Sequence, residues 1–294
     1  VDDGVVSPAL NRWLRRIGFA LALAGCAYIG MRVWQGAAGV ALRWPGPVPA
    51  AVAVACSTLA MAVLALGWYA LMRACGEPVG LVAALRAYAI SQPAKYLPGN
   101  VLHFAARHAL GHADGGGHGG LLSAAALEAV SLIGMALLLA GIWARPEMFG
   151  VHAVARWAVM AAGGACLTTA IGYLALRRGG RGLAWLAAHF VAAAGYFVAT
   201  TVAFGMLVGE AAPGLDFMLP VVSGSWVAGF VVIGAPGGLG VREATMMQLL
   251  GSETAAALLG AIISFRLVAV VADVCLFAAT WWLPQASPAA SKDP

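Results

Sequence analysis

The chain has 294 residues, of which 62% are hydrophobic and 10% charged, with a formal net charge of +5. Soluble domains carry about 25% charged residues, so this composition, with a mean hydropathy of +0.88, excludes a soluble protein and points to a single membrane domain over residues 1–283. The basic excess is scattered and lacks a block interleaved with aromatics, which excludes nucleic-acid binding and assigns the arginines first to membrane topology.

A helix needs about 20 apolar residues to cross the hydrocarbon. Residues 17–34 qualify if Arg32 snorkels. Arg12, Arg15 and Arg16 before the run 17–31 also fit a signal peptide cut near Ala37, but the membrane pattern that continues downstream favours a first span. Residues 50–72 are uncharged. Residues 81–110 are moderately apolar and are cut by Pro93 and Pro98 into halves too short to span. They predict either a re-entrant hairpin or an amphipathic hairpin lying on the bilayer. A glycine-rich stretch, 115–120, reads as a flexible connector.

Further spans follow at 121–144, with Glu128 as its charge, at 157–176, and at 183–209, with only His189. Residues 217–241 are uncharged but broken by Pro220 and by Pro236-Gly237-Gly238. Residues 254–283 carry Arg266 and Asp273, and the tail 284–294 is polar and predicted to be disordered. The five cysteines show no metal spacing and read as small buried hydrophobes. No cofactor or metal is expected.

The fold class is therefore an all-α polytopic membrane protein with six to seven transmembrane helices. With the N-terminus inside, ten basic residues (Arg12, Arg15, Arg16, Arg73, Arg86, Lys95, Arg107, Arg177, Arg178, Arg181) lie on the inner side. Four (Arg32, Arg43, Arg145, Arg156) lie on the outer side. The spans 50–72 and 183–209 run in opposite directions, and each precedes a Pro-Gly break followed by an arginine. That layout predicts an inverted repeat with two re-entrant hairpins and an inside C-terminus. If 217–241 spans instead, there are seven helices and the C-terminus is outside.

Broken backbone and charge inside a membrane are tolerated only where protein or a watery cavity covers them. Pro98 and Gly99 in the first break, and Pro236, Gly237 and Gly238 in the second, are the predicted structural hinges. After Gly99 a helix can restart with Asn100, His103 and Arg107 on one face. With Lys95 and the free N–H groups of a helix start, this stripe predicts an anion site best suited to phosphate. The alternative is that Lys95 and Arg107 only snorkel to the inner surface. Arg242 and Glu243 after the second break line either an intramembrane turn or a surface loop.

Glu128, Arg266 and Asp273 are ionisable groups within apolar helices. Glu128 is available to neutralise Arg266 or Arg107. Arg266 and Asp273 face the same way but are two turns apart, too far for a direct pair, and Asp273 reads as part of a structural ion pair. His108 and His112, with Asp114 and His118, have zinc-compatible spacing but lie in a glycine-rich setting that argues against a metal. No nucleophile stands out. Ser131, nearest to Glu128, more readily bonds a backbone carbonyl.

The stretch Lys95-Tyr96-Leu97-Pro98-Gly99-Asn100-Val101-Leu102-His103-Phe104-Ala105-Ala106-Arg107 resembles a signature of the flippase-like family that includes the transmembrane region of lysylphosphatidylglycerol synthase/flippase. Ala235-Pro236-Gly237-Gly238-Leu239-Gly240-Val241-Arg242-Glu243-Ala244 resembles its second signature. The resemblance implies a multi-pass protein of the bacterial inner membrane, N-terminus cytoplasmic, that moves lipids with polar headgroups. The implied cargo is aminoacyl-phosphatidylglycerol, a polyprenyl-phosphate-linked sugar or a hopanoid-type lipid, with the bilayer and a lipid-synthesising enzyme as partners. It makes Lys95, Arg107, Arg242 and Glu243 cavity residues. No aminoacyltransferase domain follows residue 283 in this sequence, so translocation rather than enzymatic synthesis is the expectation. The expected substrate-binding set is Lys95, Asn100, His103, Arg107, Glu128, Arg242, Glu243 and Arg266. The alternatives are an intramembrane enzyme acting on a lipid phosphate, with His103 as acid/base, and a non-transporting partner of lipid-modifying enzymes.

Overall fold

The computed structural model describes Ala27, Met31 and residues 44–96, 102–144, 153–232 and 235–283. Apart from Ala27 and Met31, the predicted first span lies outside the described residues, as do the tail and Pro98, Gly99 and Asn100. Eight helices are described: α1 (Pro47–Ala74), α2 (Leu81–Ser91), α3 (Leu102–Ala113), α4 (His118–Trp143), α5 (Ala153–Val208), α6 (Leu215–Val231), α7 (Val241–Leu250) and α8 (Ser252–Trp281). Short 3-10 turns at Gln92–Tyr96 and Pro236–Gly238 follow α2 and precede α7.

Within α1, α4, α5 and α8, the segments Pro47–Ala74, His118–Trp143, Val154–Val208 and Leu258–Trp281 are long and apolar enough to cross a membrane. The protein is a polytopic, all-α membrane protein. Its outer surface carries exposed Leu59, Val154, Leu176 and Val191, which suits contact with lipid tails.

A straight helix of 56 residues would be about 84 Å long, roughly twice the full thickness of a bilayer. Gly179, at φ 60° and ψ −155°, breaks α5 between the two stretches read as separate spans. The halves pack on α1 and α4. Backbone contact replaces side-chain interdigitation along part of that packing. A Cβ on Gly163 would lie 2.8 Å from both the Gly134 carbonyl oxygen and the Leu138 nitrogen. Small residues allow this approach where lipid supplies no hydrophobic drive to helix association. On the other half of α5, fully buried His189 places Nδ1 3.1 Å from the Gly67 carbonyl oxygen of α1. Polar bonds of this kind join helices in lipid.

The glycine-rich connector is not a flexible linker. Gly115 takes a positive φ of 92°, and the Gly116 N–H donates to the Gly111 carbonyl at 2.9 Å. Buried Glu77, in the turn after α1, accepts the Gly117 N–H at 2.6 Å. A carboxylate at a helix N-terminus is favoured by the helix dipole, and at Gly120 a Cβ would collide with it. The glycines therefore supply turn geometry and room for a charge. In the same turn, burial, reinforced by Glu77, pushes the Cys75 thiol up to about 11.

Gly163→Leu is expected to destabilise the α4–α5 contact by at least the 1–3 kcal/mol typical of overpacking. Thermal unfolding of the detergent-solubilised protein should show a lowered midpoint. An unchanged midpoint would mean that this close approach contributes nothing to stability.

Candidate functional site

In each interrupted segment a 3-10 turn stands between two short helices, and the Gln92–Tyr96 turn packs against the Pro236–Gly238 turn. Gly237 and Gly238 are buried with φ of 56° and 74°, a region that glycine enters without steric penalty. Space is a second reason for glycine at 237. A Cβ there would stand 3.0 Å from the Tyr96 ring and 2.9 Å from Arg266 Nη2. At Gly238 it would stand 2.9 Å from the Gly229 Cα.

Side chains clasp these turns. Lys95 Nζ lies 2.8 Å from Asp273 Oδ2 and donates to Oδ1 at 2.9 Å. The Tyr96 hydroxyl donates to the same carboxylate. Arg266 Nη2 donates to the Gly237 carbonyl at 2.8 Å, and its Nε lies 3.5 Å from Glu243 Oε1. Glu243 stands in the first turn of α7, where its other oxygen accepts the Gly240 N–H at 2.7 Å, an arrangement that ties down the start of a helix.

Arg107 is 1% exposed and fully engaged. Nη1 donates to Glu128 Oε2 at 2.5 Å and Nε to Ser91 Oγ at 3.2 Å. The guanidinium carbon sits 4.0 Å from the Tyr88 ring centre and 4.7 Å from that of Trp68. Bidentate-capable, always charged and able to stack, arginine is the cation best suited to such burial. Of the two partners open to Glu128, Arg107 is the one it takes. His103, one turn earlier, is also buried, and its Nδ1 makes no hydrogen bond.

Two cavities of about 60 Å³ each lie around these groups. The first is bounded by Ser57, Lys95, Tyr196, Arg242, Glu243, Arg266 and Asp273. The second is bounded by Tyr88, His103, Arg107, Glu128, Lys95 and Arg242. Lys95, Arg242, Tyr196, Trp226 and Met61 line both. Arg107 and Arg242 thus reach one cavity together with Glu128, while Glu243 and Arg266 face the other.

Arg242 differs from the other three cations. Among the described residues no carboxylate lies within ion-pair distance of it, and its buried Nε makes no hydrogen bond. Its guanidinium carbon lies 5.6 Å from the centre of the Trp226 ring.

Of the expected binding residues, Lys95, His103, Arg107, Glu128, Arg242, Glu243 and Arg266 line the two cavities; Asn100 is outside the described residues. Asp273, read from the sequence as part of a structural ion pair, is paired with Lys95 and stands at the wall of the first cavity. Sequence reasoning overlooked Ser57 and Tyr196. An isolated serine or tyrosine in an apolar helix carries no signal, but an intramembrane aspartate does. His108, His112 and His118 lie away from both cavities. Nε2 of His108 is 2.9 Å from Nδ1 of His118, and His112 stacks on His118 with ring centres 3.9 Å apart. Among the described residues no group of metal-ligating side chains is arranged to hold an ion. No family model matches the chain, and no curated protein is significantly similar to it.

Arg107→Ala leaves the Glu128 carboxylate buried without a partner and is expected to destabilise the protein by about 3–5 kcal/mol. The double variant Arg107→Met with Glu128→Met should recover much of that loss in thermal unfolding. A single variant as stable as the parent would show that the pair is not the buried contact described.

Proposed function

We propose that this protein is a lipid transporter of the flippase-like kind that its two broken signatures resemble. A polar headgroup enters the cavities between the interrupted segments while the acyl chains remain in the bilayer. The observation that carries this reading is the meeting of cationic side chains from both interrupted segments, Lys95 and Arg107 from one and Arg242 from the other, in adjoining cavities. A membrane protein that buries charge and irregular backbone at one place has a substrate path there by default.

In this reading the helices on either side of the breaks form an inverted repeat. One unit is α1, the α2–α3 pair and α4; the other is the part of α5 beyond Gly179, the α6–α7 pair and α8. The helices of the two pairs are 10 to 17 residues long, below the length of a full span, and serve as re-entrant hairpins entering from opposite sides. Six spans result: residues 17–34, α1, α4, the two halves of α5, and α8. The cleft opens sideways toward lipid. Each cavity admits only a small group at rest, so passage requires one repeat to rock against the other.

The cargo is a polar-headgroup lipid containing phosphate. The protein acts as a transporter in a bacterial inner membrane, next to an enzyme that makes or consumes that lipid. The energy comes from a gradient or from that consumption. Lys95, Arg107, Arg242 and Arg266 supply positive charge; Glu128 and Glu243 balance it.

In vesicles reconstituted with the protein, a headgroup- or chain-labelled phospholipid should become accessible to a membrane-impermeant quencher, and Arg242→Ala should slow this at least tenfold. Protein-loaded vesicles that behave like empty ones with every lipid tried would sink the transporter reading. A tag after Pro294 should be protected from periplasmic labelling reagents in intact cells. Labelling from outside would reject the inverted repeat in favour of seven spans.

A further inference from the structure

The turn between α3 and α4 carries three imidazoles that line neither cavity. His108 and His112 are one turn apart near the end of α3 and share a face. His118 is the first residue of α4. It is the hub of the group: its Nδ1 stands 2.9 Å from His108 Nε2, and its ring stacks on that of His112 with centres 3.9 Å apart. His112 in turn is held by the connector, Nδ1 lying 2.9 Å from the Gly116 carbonyl oxygen. His112 and His118 are exposed, so protons reach the group from solvent.

A bond between two imidazole nitrogens needs one N–H and one lone pair, and a protonated ring has no lone pair left. The His108–His118 bond therefore survives one added proton but not two. With both rings charged it becomes a repulsion at 2.9 Å, and a charged His112 would add a third cation against the hub. His118 is also at a helix N-terminus, where the dipole opposes positive charge. His108 Nδ1 is buried without a hydrogen-bond partner among the described residues, so a proton placed there has no acceptor.

The surroundings offer little compensation. Asp114 of the connector feels the Arg86 guanidinium of α2. Glu77, in the turn after α1 with Cys75, is engaged by the Gly117 N–H. From α5, Arg177 lies over Tyr173, whose hydroxyl meets Ser123 of α4. Acid favours whichever state binds more protons, and that is the state in which the three rings are apart.

We infer that His108, His112 and His118 form an acid-released latch between α3 and α4. Near neutral pH it fixes the arm that brings His103 and Arg107 to the second cavity; in acid it loosens that arm. The Arg107–Glu128 pair remains as a second tie between the same two helices, so release loosens the arm without detaching it. The latch does not depend on what the cavities hold.

Hydrogen–deuterium exchange of the purified full chain in detergent tests this, at about pH 7.5 and about pH 5, the span over which histidine changes charge. Exchange times are scaled for the intrinsic effect of pH. Residues 108–120 are expected to lose protection about tenfold in acid, the change for one hydrogen bond of typical net strength. Residues 102–107 should follow, and α1 should not. In the double variant His108→Gln with His118→Asn, the side-chain amides keep a donor and an acceptor in place of the two bonded nitrogens and do not titrate. It should stay protected at both pH values. His118→Asn alone gives the same reading if the double variant does not fold. Equal protection of 108–120 at both pH values in the parent would overturn the latch. Loss in the variant equal to that in the parent would assign the response to Asp114 or Glu77 and overturn it too. Loss confined to 108–120 would overturn the link to the arm.

Discussion

Arg266 and Asp273 stand on one face of α8, seven residues apart, and between them they hold both interruptions of the membrane domain. Asp273 takes Lys95 and Tyr96 of the first; Arg266 takes the Gly237 carbonyl of the second and approaches Glu243. In lipid an open backbone carbonyl or an unpaired charge has no solvent to turn to. One uninterrupted helix therefore serves as the post to which two interrupted segments are tied. Their contact with each other, and the cavities beside it, depend on that tie.

Two arginines of similar origin have different roles because of what surrounds them. Arg107 and Arg242 each follow a Pro-Gly break by a short distance. Arg107 is closed in by a carboxylate, a hydroxyl and two aromatic faces, and removing the carboxylate would leave its charge stranded in low dielectric. Arg242 has an aromatic wall beside it and, among the described residues, no carboxylate within ion-pair distance. Residue type alone does not separate a structural cation from a receptive one; the inventory of partners does.

Much of this was legible in the residues. Apolar runs located the long helices, and the Pro236-Gly237-Gly238 cluster located the second interruption, because both follow from local backbone chemistry. Intramembrane charges flagged Lys95, Arg107, Glu128, Arg242, Glu243 and Arg266 for the same reason. What could not be read was who pairs with whom. Lys95 and Asp273 are 178 positions apart, and no spacing rule reaches that far. Ser57 in a featureless apolar helix was invisible, since its place at the first cavity comes from other elements that pack around it. The connector at 115–120 misled because glycine signals freedom in an isolated chain, whereas here it makes room for the Glu77 carboxylate.

Gly237 has a consequence at the level of sequence change over time. Its missing side chain is the space occupied by the Tyr96 ring and by the end of Arg266, which belong to three separate stretches of the chain. Any residue with a Cβ at 237 must displace an aromatic ring from one stretch and a guanidinium from another, and must also accept a left-handed backbone. No single exchange at 96 or 266 relieves all three demands. The lock is one-way: Tyr96, Arg266 and the left-handed backbone hold position 237 to glycine, whereas a smaller side chain at 96 or 266 would meet no clash with it.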